Sequence, residues 1–200
     1  MKKLCVLLTV LCLLLGAVTV LPIHGEEEIY DSVIRLHVLA ASNSERDQEV
    51  KLLVRDAVLK ETKVWLADVK TRKEAEKILS LHLEDIKNIA NATLQRAGCT
   101  ERATVTLGME EYPTREYENL AFPAGEYLSL RIGIGEAEGK NWWCVLFPPL
   151  CLSAATSKAE AEQAFLSAGL SGEQYRIITD SDSTKYKLRF KILEIVQELF

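Results

Sequence analysis

The chain has 200 residues, 48% apolar and 26% charged, with a formal net charge of −5, a composition that excludes disordered, collagen-like and coiled-coil chains. A chain of this length can bury roughly 70% of the surface its unfolded state exposes, so its core needs neither a metal nor a net of disulfides. The acidic balance, with no run of Lys or Arg interleaved with aromatics, excludes a phosphate-neutralising partner of nucleic acid.

Met1–Leu21 reads as a targeting segment. Lys2 and Lys3 form a positive head, and the only polar side chains between Leu4 and Leu21 are Thr9 and Thr19. As a helix that run measures about 27 Å, between a long signal-peptide core and a minimal membrane span. No A-x-A triplet follows; Gly16-Ala17 and His24-Gly25 are the small-residue exits, and Cys5 and Cys12 fall too early for lipoprotein processing. The sequence therefore predicts residues 1–25 as a signal peptide or membrane anchor and residues 26–200 as a single exported α+β domain. Losing Lys2 and Lys3 would take the net charge from −5 to −7, which favours a soluble, at most weakly associating domain.

Ile34, Leu36 and Val38 alternate with Arg35 and His37, the pattern of a half-buried strand. Ser42 and Glu45 form a capping box, after which Val50, Leu53, Val54, Ala57, Val58, Val64 and Trp65 hold a helical stripe to about residue 67. Thr71 and Glu74 repeat the signature. Ala75, Ile78, Leu79, His82, Ile86, Ile89, Ala90 and Thr93 then share one face as far as Gly98, a natural left-handed C′ residue.

The period next drops to two. Val105, Leu107 and Met109 alternate with Thr104 and Thr106; Pro113 and Pro123-Ala124-Gly125 bracket a loop; and Leu128, Leu130, Ile132 and Ile134 alternate with Tyr127, Ser129, Arg131 and Gly133. Trp143–Phe147 makes a last strand, stopped by Pro148-Pro149. Lys158–Ala168 is helical up to Gly169, and Leu188, Ile192, Ile195, Val196 and Leu199 mark a terminal helix, although Lys187–Ile192 alternates enough to compete as a strand. The order β, α, α, β, β, β, α, α predicts an α+β fold, a small, mostly antiparallel sheet with helices on one face.

Most candidate chemistry fails on spacing. Gly133–Lys140 looks like a phosphate cradle, but Ile134 stands where a P-loop needs its first glycine and Asn141 where it needs Ser or Thr. Glu138 replaces the third glycine of a dinucleotide fingerprint, leaving a turn between strands. Outside the leader only His37 and His82 remain, neither at metal-ligand spacing. His82 reads as a core histidine on its stripe, and His37 as a pH-sensitive surface group. No metal or cofactor is expected.

Cys144 and Cys151 are separated by six residues containing Pro148-Pro149, so in an oxidising compartment they read first as a disulfide. A nucleophilic pair of Cys144 or Cys151 with His37 has no supporting motif. Cys99 reads as a small buried hydrophobe at a helix end. Trp142 and Trp143 must point to opposite faces of a strand; an exposed Trp is a contact anchor, and the alternative is that both pack beneath the Pro-Pro turn.

These residues carry a resemblance. Ile34-Arg35-Leu36-His37-Val38, Asp47-Gln48, Lys51-Leu52 and Val54-Arg55-Asp56-Ala57-Val58 resemble the first signature of the stage II sporulation protein R family. Pro123-Ala124-Gly125-Glu126-Tyr127, Leu130-Arg131, Ile134-Gly135 and the run Gly139 to Cys151, Gly-Lys-Asn-Trp-Trp-Cys-Val-Leu-Phe-Pro-Pro-Leu-Cys, resemble its central block, and Arg189–Glu194 is similar to its C-terminal one. Ala41 and Asn43 depart from the family's Ala-Asn-Ser-Asp-Ser pattern, and Ser153–Leu170 has no counterpart.

The resemblance implies a protein made in the forespore and secreted into the space between the two septal membranes. There it activates a membrane-embedded aspartic protease of the mother cell, which processes pro-sigma-E to active sigma-E. It implies a non-catalytic activator whose candidate contacts, at matched motif positions, are Arg35, His37, Asp47, Arg55, Asp56, Trp142 and Trp143. The alternatives are an exported hydrolase of cell-wall or peptide substrates, using Cys144 or a carboxylate pair among Glu126, Glu136 and Glu138, and a structural module held to a membrane by an uncleaved leader.

Overall fold

A strand whose two faces are both apolar or aromatic-lined belongs in the middle of a sheet, and the first strand is of this kind. The computed structural model describes residues 29–117, 120–149, 158–169 and 171–179. In chain order these form β1 (Ile34–Leu39), α1 (Glu45–Trp65), α2 (Arg72–Leu81), α3 (Leu83–Arg96), β2 (Ala103–Tyr112), β3 (Arg115–Tyr117), β4 (Leu120–Phe122), β5 (Gly125–Ile134), β6 (Asn141–Phe147), α4 (Lys158–Ser167) and α5 (Gly172–Thr179). The expected leader and terminal helix, and Cys151, lie outside the described residues.

The fold is α+β, but the sheet is mixed rather than mostly antiparallel in its centre. Its order is β2–β5–β1–β6. β1 runs parallel to β5, from Ile34 opposite Leu128 to Leu39 opposite Gly133, while β6 and β2 run antiparallel to β1 and β5 respectively. A parallel pair needs a long crossover, here the whole run of α1 to α3, β2 and the β3–β4 hairpin. Alternation fixes which face a side chain takes and says nothing about the neighbouring strand, so this pairing was not legible.

One sheet face packs against the helices. Ile34, Leu36 and Val38 of β1, with Leu128, Leu130, Ile132 and Ile134 of β5, meet Val50, Val54 and Val58 of α1, Ala75 and Leu79 of α2, and Ile86, Ala90 and Leu94 of α3. The other face is covered too, contrary to the expectation of helices on one side. Tyr112, Phe122, Tyr127 and Val145 join Phe165 of α4 and Tyr175 and Ile178 of α5 in a second, aromatic-rich core. Part of its cover is the β3–β4 hairpin, which occupies the predicted loop.

Helix ends follow local chemistry, with two corrections. The N-cap of α1 is Ser44, whose hydroxyl accepts the Asp47 N–H at 3.1 Å, because Ser42 instead donates to the Asp47 carboxylate and accepts the Ser44 N–H. The second helical stripe breaks at His82, whose N–H bonds the carbonyls of Ile78 and Leu79 and whose own carbonyl accepts from Ile86. His82 is therefore partly exposed rather than a core histidine; it stacks on Trp65 at 4.3 Å and bonds Asp85. Gly98 is the left-handed C′ residue the sequence indicated, at φ +71, with Cys99 N–H closing on Leu94 C=O at 2.9 Å.

The segment from Gly135 to Lys140 is not a hairpin turn. It carries the chain from β5 across the end of β1 to β6, and Gly139 N–H bonds Ala40 C=O on the way. A Cβ on Gly139 would lie 2.2 Å from the Ser42 carbonyl oxygen, so glycine is required there by close approach.

Candidate partner-binding surface

The residues singled out from the sequence separate into two groups on opposite faces of the sheet. Arg35 and His37 project from β1 into the aromatic side and are buried, at 0% and 6% exposure, not surface groups. The Arg35 guanidinium lies 4.5, 4.9 and 5.1 Å from the ring centroids of Tyr112, Phe122 and Tyr127, a cation held by ring quadrupoles. Its Nη2 donates to the Tyr117 hydroxyl at 3.0 Å, and that hydroxyl donates to the Trp143 carbonyl at 3.1 Å. Arg35 Nε and Nη1 meet no hydrogen-bond acceptor among the described residues. Burial pushes the Tyr112 and Tyr117 hydroxyls up from the ordinary tyrosine value.

His37 is fixed at both ring nitrogens, Nδ1 to Glu110 Oε1 at 2.7 Å and Nε2 to Asn141 Oδ1 at 3.0 Å. Glu110 also faces Arg131 at 3.5 Å. Desolvation raises the Glu110 pKa, but hydrogen bonds from His37 and Ser129 and the charges of His37 and Arg131 outweigh it, and the net direction is down. An imidazole engaged on both sides orients its neighbours and has no nitrogen left for a substrate. Trp143 packs edge-on against His37 at 5.1 Å, with Arg115 over its ring at 3.6 Å.

Trp142, one residue on, takes the helix side, as alternation required. It is 39% exposed, and the Arg55 guanidinium of α1 lies 4.1 Å above its ring. Arg55 also contacts Asp56 at 2.7 Å. Lys51, one turn before Arg55, is 4% exposed and donates to Gln48 Oε1 at 2.7 Å and to the Lys140 carbonyl at 3.0 Å. Asp47, near the start of α1, is held by Ser42 and Ser44, and the hydrogen bond from Ser42 is the main cause of its lowered pKa.

Two of the catalytic pairings are not assembled. Cys144 packs into the core on the helix side, opposite Leu36, while His37 points to the other face, so these two do not pair; Cys151 lies outside the described residues. Glu126 stands near the start of β5 and Glu136 two residues past its end, on the order of 25 Å apart by strand rise, beyond the roughly 5–10 Å of a glycosidase pair; Glu136 and Glu138 share the exposed segment that follows β5. Among the described residues no three His, Cys, Asp or Glu gather to hold a metal, and no helix is long and apolar enough to cross a membrane.

Sequence reasoning missed Glu110, Tyr117, Asn141 and Lys51. Glu110 and Tyr112 could have been found by carrying the period-two pattern of β2 to its end. Tyr117 could not, because its hairpin is too short to leave a periodic signal.

A family described as Stage II sporulation protein R (spore_II_R) matches residues 30–157, which include β1, α1 and β6 with every contact candidate named above. Stage II sporulation protein R of Bacillus subtilis (strain 168) is 42% identical over 136 residues, covering 68% of this chain and 61% of that protein. The match thus spans about three fifths of that relative's length. No solved structure matches the chain. The matched span contains the whole four-stranded sheet and the three helices on it, and the chain belongs to the stage II sporulation protein R family.

Proposed function

We propose that this protein is a secreted, non-catalytic signal of endospore formation. In this reading it crosses the forespore membrane by its leader and reaches the space between forespore and mother cell. There it activates the membrane-embedded aspartic protease that processes pro-sigma-E, by binding it. Cys144 and Cys151 pair as a disulfide in that space, and the protein takes no cofactor. The observation that carries the reading is the exposed, Arg55-stacked Trp142, an aromatic-arginine anchor of the type that dominates protein contacts. The splitting of Cys144 from His37 by the sheet also supports a binding role over a hydrolytic one.

The test is co-expression of this protein, the candidate protease and pro-sigma-E in non-sporulating cells, with processing followed by immunoblot. Processing that requires both this chain and its leader is the expected result, and Trp142→Ala should abolish it while export and thermal stability persist. Absence of processing, with the protein exported and folded, would refute the reading.

A further inference from the structure

Resting on that reading, the chemistry of the contact can be taken further at the corner where α1 meets the start of β6. Three cations converge there in a chain that is acidic overall. Lys51 and Arg55 are one helical turn apart on α1. Lys140 immediately precedes β6, and its backbone carbonyl is the acceptor for the Lys51 ammonium at 3.0 Å. Asp56 pairs with Arg55 itself, and Asp47 is held by Ser42 and the Ser44 cap; among the described residues no carboxylate is bonded to Lys51 or Lys140. Lys51 is thus a nearly buried ammonium whose two acceptors are both neutral, an amide and a carbonyl.

Such an arrangement is electrostatically incomplete. Burying a cation without a counter-charge is unfavourable, and Arg55 and Lys140 add like charge beside it. Burial first, then Arg55 and Lys140, push the Lys51 pKa down, and no group acts to raise it. An incoming anion would supply the counter-charge that Lys51 and Lys140 lack and would share Arg55 with Asp56, and Trp142 gives it an apolar rim.

We infer that the corner formed by Lys51, Arg55, Lys140 and Trp142 receives a carboxylate from an acidic surface segment of the partner protein. An anionic lipid headgroup offers similar charge. The net charge of the whole chain is negative, however, and would oppose approach to an anionic bilayer. One local cationic corner beside one aromatic anchor suits a protein side chain better.

The test uses the full-length, exported chain in the same co-expression system, with Arg55→Glu and Lys140→Glu as separate variants. Lys140 is exposed, so its reversal leaves the fold intact, which thermal melting checks. Each reversal should lower processing by about tenfold or more, whereas Lys87→Glu on α3 should leave it unchanged. Zero-length carbodiimide crosslinking of membranes from cells expressing the wild-type pair should join Lys140 to an Asp or Glu of the protease, identified by peptide mass. If wild-type chain gives no processing, the signalling reading itself falls. If processing is robust and both reversals keep it, or crosslinks form only away from this corner, the inference falls and the signalling reading stands. Loss of processing that tracks loss of binding to phosphatidylglycerol vesicles, with no protein crosslink, would likewise overturn it in favour of a lipid.

Discussion

Replacing Tyr117 by Phe removes one oxygen and two roles. The hydroxyl accepts from Arg35 Nη2 at 3.0 Å and donates to the Trp143 carbonyl at 3.1 Å. A hydrogen bond to a buried charged group contributes about 1.5–3 kcal/mol and one to a neutral group about 1 kcal/mol, so Tyr117→Phe should destabilise by about 3 kcal/mol. For a domain of this size that corresponds to a fall in Tm of about 6–12 °C. Arg35→Met is expected to be nearly neutral. It loses the ring contacts of the cation but removes a guanidinium that lacks acceptors at Nε and Nη1, and swapping a buried charge for an apolar group of similar length is often tolerated. In the Arg35→Met background only the Trp143 bond remains to be lost, so Tyr117→Phe should then cost about 1 kcal/mol. The coupling of about 2 kcal/mol is read from a double-mutant cycle in urea denaturation. Equal cost of Tyr117→Phe in both backgrounds would refute the claim that this hydroxyl acts through Arg35.

Three further outcomes are expected. Gly139→Ala, which sets a Cβ against the Ser42 carbonyl, should cost about 3 kcal/mol or more, while Gly108→Ala, with open space around the new carbon, should leave the melting temperature unchanged or slightly raised. Because the Glu110 pKa is lowered in the fold, its carboxylate stabilises above the ordinary glutamate range and that contribution is lost as pH falls through the folded-state value. Glu110→Gln should therefore be less stable than wild type at neutral pH, with the gap closing in melts run at progressively acid pH; a constant gap would contradict this. A Cys144–Cys151 bridge should appear as one linked peptide in a non-reducing digest of the exported protein, and reduction should lower Tm by about 5–10 °C, given roughly 2.5 kcal/mol from closing a short loop.

The elements with a strong local period were legible. The Thr71 cap, the Gly98 stop and the alternation of β5 appear where residue spacing puts them, and Val50, Val54 and Val58 carry the α1 stripe into the core, although Leu53 and Val64 of that stripe are exposed. What the sequence hid are properties set by more distant residues. Arg35 and His37 look like the wet side of a half-buried strand, because no local rule announces that Tyr112, Phe122 and Tyr127 will close over them. His82 looks like core because the stripe through it is unbroken, yet the helix turns there. Of the contact candidates, Trp142 and Arg55 were found separately, and only the fold brings one onto the other. The burial of Lys51 is not legible locally, because it depends on where Lys140 arrives.

The placing of β1 between β5 and β6 has a temporal consequence. The first strand to leave the ribosome, or to enter a new compartment N-terminus first, is the one whose two neighbours are made last. Neither of its edges can be satisfied until roughly a hundred further residues have followed, which makes for slow, all-or-nothing assembly. Until Phe147 has arrived, a strand that ends up buried along its whole length is open to proteases and to misassociation. In a chain built this way the proposed binding corner is finished late: Lys51 and Arg55 are made early, but Lys140 and Trp142, which complete it, come only with the strand that closes the sheet.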